Sequence, residues 1–190
     1  MKAQNETRYE RRKQRTRNAL KKAAAELLMR KGYESLTIQD ITDQLDLARA
    51  TFYVHFNDKD DIVWSLLQDH FSQLNEILQA ELPVQTLNRH QQKLRLIFDY
   101  AAKERELLAV MLSDRGHITL TRRFTRYIAT IIKADIEKGL TPYQEEVPID
   151  FKANYLAGAL LQVLTWWLEN DNNLSPRNLA DMFYKQEYPV

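Results

Sequence analysis

Between residues 48 and 61 the chain reads ARATFYVHFNDKDD, and within it Arg49, Thr51, Tyr53, His55 and Lys59 are the residues whose types and spacing could do chemistry. That chemistry is recognition and involves no bond-making. A guanidinium at 49 can donate in bidentate fashion to guanine, and the Thr51 hydroxyl and methyl can meet phosphate or thymine. The polar tips of Tyr53 and His55 suit phosphate oxygens. At helical spacing Phe52 and Phe56, with Leu45 and Leu47 upstream, are the inward anchors. One face of the stretch holds a helix down, and the other is built to touch a polyanion.

The flanking sequence supplies elements to position these side chains. Thr37 with Asp40 three residues on forms a capping box, and Ile38, Ile41 and Leu45 give the short helix behind it a buried stripe. Asp46-Leu47 makes a turn, and the next helix covers about Arg49 to His55. Two short helices and a tight turn within residues 37–56 have the size of a helix-turn-helix. A preceding helix runs from about Glu10 to Lys31, with Leu20, Ala23, Ala24, Leu27 and Leu28 on one face and Gly32 as a left-handed C-cap. Asp58 with Asp61 caps a long fourth helix to about Ala80, and Pro83 marks a break.

Further helices are expected near 86–104, 105–113, 118–138 and 149–170. A last one, at 176–186, is announced by Ser175 as N-cap, Pro176 at the first position and a Leu174–Leu179 staple. With four Gly, five Pro and no sustained period-two pattern, the chain is expected to be all-α.

At 190 residues and 44% hydrophobic the chain can bury a real core. The absence of cysteine removes disulfides, thiolate nucleophiles and cysteine zinc sites. His55, His70, His90 and His117 have no metal-ligand spacing, and no nucleophile elbow or glycine-rich phosphate loop occurs. An enzyme, a cofactor and a metal site are therefore not expected. No apolar run is long enough to span a bilayer, and the polar, basic N-terminus is no signal peptide, so a cytoplasmic location is expected. The net charge of +1 hides an asymmetry: residues 1–31 carry eleven Lys and Arg against three Glu, and the remainder is acidic. A basic front is the charge plan of a protein whose N-terminal end meets a polyanion, though a solvated lysine-rich helix face reads the same way.

The stretch SLTIQDITDQLDLARATFYVHFNDKDDI resembles the N-terminal domain of the TetR family of bacterial transcriptional regulators. Thr37, Ile38, Ile41, Thr51, Phe52, Tyr53, His55, Phe56 and Lys59 fall in register with the family pattern, over about residues 10–64. The resemblance implies phosphate contacts from Thr37, Thr51, Tyr53, His55 and Lys59, and base-edge positions for Arg49 and Ala50. A phosphate at the N-terminus of the fourth helix would explain Lys59 where a helix dipole disfavours a cation. Ala48 and Ala50 depart from the family, which often has Ser and Gly there. For Arg11 to Arg17, including Arg15 and Arg17, a flexible arm on phosphates or the minor groove and plain solubility remain equal alternatives.

The implied architecture is an N-terminal three-helix domain (residues 1–60, helix-turn-helix 37–56) joined by a long helix to a C-terminal helical effector and dimerisation domain (61–190). One helix-turn-helix reads few base pairs, so a homodimer on an inverted repeat of double-stranded DNA is expected. YLAGALLQVLTWWL is apolar nearly all round, and a second copy is its simplest cover. Leu160, Leu164, Trp167, Leu168, Leu179, Met182 and Phe183 are the expected interface, with one-sided core packing as the alternative. This C-terminal region is similar to the family subgroup described as Firmicutes type. Phe98, Tyr100, Met111, Phe124, Tyr127, Phe151, Tyr155 and Trp166 could line an apolar pocket or simply fill the core. The family resemblance implies a small-molecule effector that releases DNA by moving the fourth helix. A co-regulator of the same fold acting through protein contacts is the alternative.

Overall fold

The computed structural model describes residues 7–82, 88–112, 118–143, 146–170 and 173–187. Among the described residues there are nine helices and no strand: α1 Arg8–Ser35, α2 Ile38–Asp43, α3 Arg49–Tyr53, α4 Lys59–Glu81, α5 Arg89–Lys103, α6 Arg105–Leu112, α7 Ile118–Glu137, α8 Ile149–Glu169 and α9 Pro176–Glu187. The all-α class follows. Two compact units, Met1–His70 and Phe71–Val190, divide the chain within α4. Pro83, His117 and the expected helix limits at 86 and 113 lie outside the described residues.

In the first unit, α1 begins earlier than its apolar stripe requires. Glu10 N–H donates to Thr7 Oγ1 at 3.2 Å, and Thr7 N–H donates to Glu10 Oε2 at 2.7 Å. That reciprocal cap carries the helix through Arg11 to Arg17, so this basic segment is helical and is no flexible arm. Leu20, Ala23, Ala24, Leu27 and Leu28 are buried, as their spacing demands. Gly32, at φ 73° and ψ 172°, breaks the helical path. A side chain there would be strained by the backbone alone.

Thr37 caps α2 through the expected box with Asp40, and Ile41 is fully buried beneath it. Thr42 is also fully buried; its hydroxyl donates to the Ile38 and Gln39 carbonyls, and its own carbonyl accepts from Leu47 N–H at 3.0 Å. With Asp46 at φ 51°, that bond closes the turn into α3.

In the second unit, α5 packs on α9, α7 on α8, and α6 against α8. Arg105 donates to the Trp167 and Leu168 carbonyls at 3.2 and 3.0 Å, capping the end of α8 with a cation where the helix dipole favours one. Ser175 Oγ accepts from Asn178 N–H at 3.1 Å and starts α9. No helix among the described residues is long and apolar enough to cross a membrane.

Candidate nucleic-acid interface

Helix α3 is five residues long and cannot hold itself. Its anchors are Phe52 and Phe56, 0% and 2% exposed, with ring centroids 5.7 Å apart. Burial of these two rings turns the other side of the helix outward. Arg49 and Ala50 are exposed, Tyr53 is 48% exposed and Val54 58%. Arg49 Nη2 donates to the Tyr53 hydroxyl at 3.0 Å, with the guanidinium 5.7 Å from the ring centroid. The two side chains brace each other one helical turn apart, which restricts both before any ligand arrives. Ala48 stands at the N-cap in extended geometry and makes no side-chain cap, consistent with its departure from the family pattern. Thr51 is half-buried.

Arg17 is differently employed. Its Nη1 donates to the His55 carbonyl at 2.5 Å, its Nη2 to Ser65 Oγ at 3.3 Å, and its guanidinium lies 4.1 Å from the Phe56 centroid. One side chain of α1 thereby ties the segment that follows α3 to α4. Local sequence held no signal for this, since the partners are 38 and 48 residues away. Ser65 was the available clue, a lone hydroxyl in the buried run Ile62 to Leu67. Arg15 remains exposed.

Lys59 is half-buried; its ammonium donates to the Tyr33 carbonyl at 3.0 Å and sits 4.2 Å from that ring's centroid. Tyr33 in turn donates to Asp60, and burial followed by this carboxylate pushes its phenol above the usual range. His55 is half-buried with Nδ1 unpartnered. Burial, then Lys13 and Arg17, depresses its pKa and favours the neutral ring. Thr37 is exposed, and its hydroxyl donates to Asp40 at 2.6 Å. Lys31 first and then Thr37 hold the Asp40 carboxyl down at about 2, so this acid stays charged. Arg49, Ala50, Tyr53, Arg15 and Thr37 are thus open to solvent, whereas Arg17 and Lys59 are committed within the unit.

Phe98, Phe124 and Tyr127, three of the rings considered for a pocket, lie in packed groups. Phe98 lies 6.3 Å from Trp167 and 6.4 Å from Phe183, while Phe71 lies 4.9 Å from Phe124 and 5.0 Å from Tyr127. Tyr100 and Met111 are buried; Tyr155 and Trp166 are 51% and 44% exposed. Of the residues considered for an interface, Leu160, Leu164, Trp167, Leu168, Leu179 and Phe183 are buried within the single chain, and Met182 is exposed. Phe151, Tyr155 and Trp166 share one stripe of α8, and Phe151 is 65% exposed. Sequence reasoning reversed the two tryptophans: Trp167 Nε1 donates inward to the Leu174 carbonyl at 3.1 Å, and Trp166 faces out. Among the described residues no group of three or more His, Asp or Glu is placed to hold a metal.

Comparison with known proteins places this geometry in a family. A family model described as "Transcriptional regulator C-terminal region" matches residues 88–186, and one described as "Bacterial regulatory proteins, tetR family" matches residues 20–66. A Bacillus subtilis protein named "Uncharacterized HTH-type transcriptional regulator YxbF" is 27% identical over 171 residues, covering 87% of this chain and 43% of its own length. The chain spans less than half the length of the curated relatives it matches. Among solved structures, a TetR transcriptional regulator from Streptococcus agalactiae superposes with TM-score 0.72 at 21% identity, covering 94% of this chain and 96% of its own. FadR from Bacillus subtilis, in complex with stearoyl-CoA, superposes with TM-score 0.63 at 18% identity, covering 88% and 95%.

Proposed function

Because the chain belongs to the TetR family of DNA-binding transcriptional regulators, we propose that it works as a homodimer that holds an inverted-repeat operator and is released by a small apolar effector. The observation that carries the DNA contact is the outward face of α3, where Arg49 and Tyr53 stand braced above buried Phe52 and Phe56. Arg49 offers a guanidinium to a base edge, Ala50 lets the backbone approach, and Tyr53 reaches a phosphate. Thr37, at the N-terminus of α2, and Arg15 on α1 add phosphate contacts.

The homodimer rests on the exposed stripe of Phe151, Tyr155 and Trp166 on α8, with Met182 on α9. Such a stripe on a helix whose opposite face is already packed calls for a second copy. This moves the proposed interface away from Leu160, Leu164, Trp167 and Leu168, which the chain covers itself. That FadR, of similar fold, is solved in complex with stearoyl-CoA supports a small-molecule effector for this chain. Release follows if the effector favours a conformer whose recognition helices no longer match successive major grooves, with α4 as the lever.

Selection of sites from random DNA tests the reading. An inverted repeat should emerge, with affinity falling steeply as salt rises. Recovery of a single asymmetric half-site would sink the dimer, and no enrichment would sink sequence-specific binding.

A further inference from the structure

The outward face of α3 carries one aliphatic side chain that the packing of the first unit does not use. Val54, which ends the helix, keeps right-handed helical backbone at φ −69° and ψ −22° and is 58% exposed. Ala50 and Val54 stand four positions apart, on one line along the helix. Phe52, two positions from each, points about 160–200° away from that line. Because Phe52 is 0% exposed, the line of Ala50 and Val54 is the edge turned most directly away from the protein.

The neighbouring side chains leave that edge to Val54. Tyr53 leans aside, with its ring edge-on to Phe52 at 5.6 Å and 84° and its hydroxyl accepting from Arg49. Ala50 ends in a single methyl, so along this line the two methyls of Val54 reach farthest. A β-branched side chain gains nothing there as a helix former, and at this exposure it gains little from burial. Its surroundings in a major groove would be different. The C5 methyl of thymine is the apolar group among the donors and acceptors that base pairs present there. Set against guanine, adenine or cytosine, Val54 would take water from a polar group and return no partner. Set against thymine, it would bury methyl on methyl. One side chain thereby favours one base and penalises the other three.

We propose that Val54, with Ala50 one turn before it, is a specificity-determining residue that reads a thymine in each half-site through the C5 methyl. This role rests on the regulator reading above and adds to it a base choice that the donors of Arg49 do not make. Val54 and Arg49 are five positions apart, about 7.5 Å along a helix axis, so the thymine should fall about two or three base pairs from the base that answers to Arg49.

The test uses the full chain on the inverted repeat that it selects from random DNA. Thymines are replaced by 2′-deoxyuridine one position at a time, in both half-sites, which removes the C5 methyl and nothing else. At one position the wild type should lose about tenfold in affinity, from one methyl in each half-site. Val54→Ala should bind the thymine operator about tenfold more weakly and lose nothing further on the deoxyuridine operator, whereas Val54→Ile should keep the discrimination. Val54→Ala should also keep the wild-type melting temperature and salt slope, since the side chain is exposed and carries no charge. A selected half-site with no fixed thymine overturns the proposal, and so does a wild type indifferent to the methyl at every position. Discrimination that persists undiminished in Val54→Ala gives the methyl contact to another residue. In each of these cases the chain still selects an inverted repeat, and only the role of Val54 falls. A chain that selects no sequence at all defeats the regulator reading, and the role of Val54 with it.

Discussion

At the scale of single residues, the two arginines Arg17 and Arg49 have the same chemistry and opposite employment. Arg49 is exposed and braced only by Tyr53, so its donors remain available to a base edge. Arg17 spends its donors on the His55 carbonyl and Ser65. Tyr53→Ala should therefore weaken binding to all sequences by removing a phosphate contact, with the salt slope nearly unchanged because a neutral phenol displaces no counterion, and with little change in melting temperature. Arg17→Gln should weaken DNA binding by about tenfold and leave the salt slope unchanged, because it loosens the recognition segment without removing a phosphate contact. A slope reduced by about one in Arg17→Gln would return that residue to the DNA surface. Lys59 belongs with Arg17, since truncating it would strip a cation from the Tyr33 carbonyl and ring.

At the scale of elements, capping decides where the helices begin. Thr7 with Glu10 and Thr37 with Asp40 close reciprocal boxes, and both were legible as short-range patterns or became so once the helix start was known. The recognition helix has no such cap. Ala48 already has the extended backbone of an N-cap residue, at φ −64° and ψ 141°, but lacks an acceptor for the first free N–H groups. Ala48→Ser should stabilise the fold by about 0.5–1 kcal/mol, read as a rise in the urea midpoint at constant slope. A fall in midpoint would mean the alanine is needed for packing.

At the scale of the whole molecule, assembly and pH response depend on which side chains one copy covers for itself. Trp166→Glu should give monomers by sedimentation with helicity intact, because the ring is 44% exposed on the α8 stripe. Trp167→Glu should cost about 3 kcal/mol or more and collapse the unit, since Trp167 is 3% exposed and packed against Phe98. Persistent dimers in Trp166→Glu would refute the proposed interface. His90, beside Tyr184, has its pKa depressed to about 4 by burial and by Lys93 and Lys152, against the opposing pull of Asp135. A depressed histidine binds its proton more weakly folded than unfolded. Its share of stability is therefore present above the ordinary 6.5 and lost as pH falls from there towards 4. Urea midpoints measured from pH 7 to pH 4 should decline across that window. His90→Gln should flatten part of the decline, with His55 contributing the remainder in the same direction.

The sequence by itself determined the helical class, the short helix-turn-helix and the division of α3 into anchor and contact faces. Those features rest on caps, turns and the 3.6-residue period, which act between neighbours in the chain. Which arginine stays open to solvent, which of two adjacent tryptophans is core, and which charges of α8 pair with α9 were left to the tertiary structure. Each depends on partners dozens of residues away: His55 for Arg17, Phe98 for Trp167, Glu187 for Lys152. Periodicity shows that a helix has an apolar face. Only the packing of other helices decides how wide that face is, and the α8 stripe outside it is what remains for a partner.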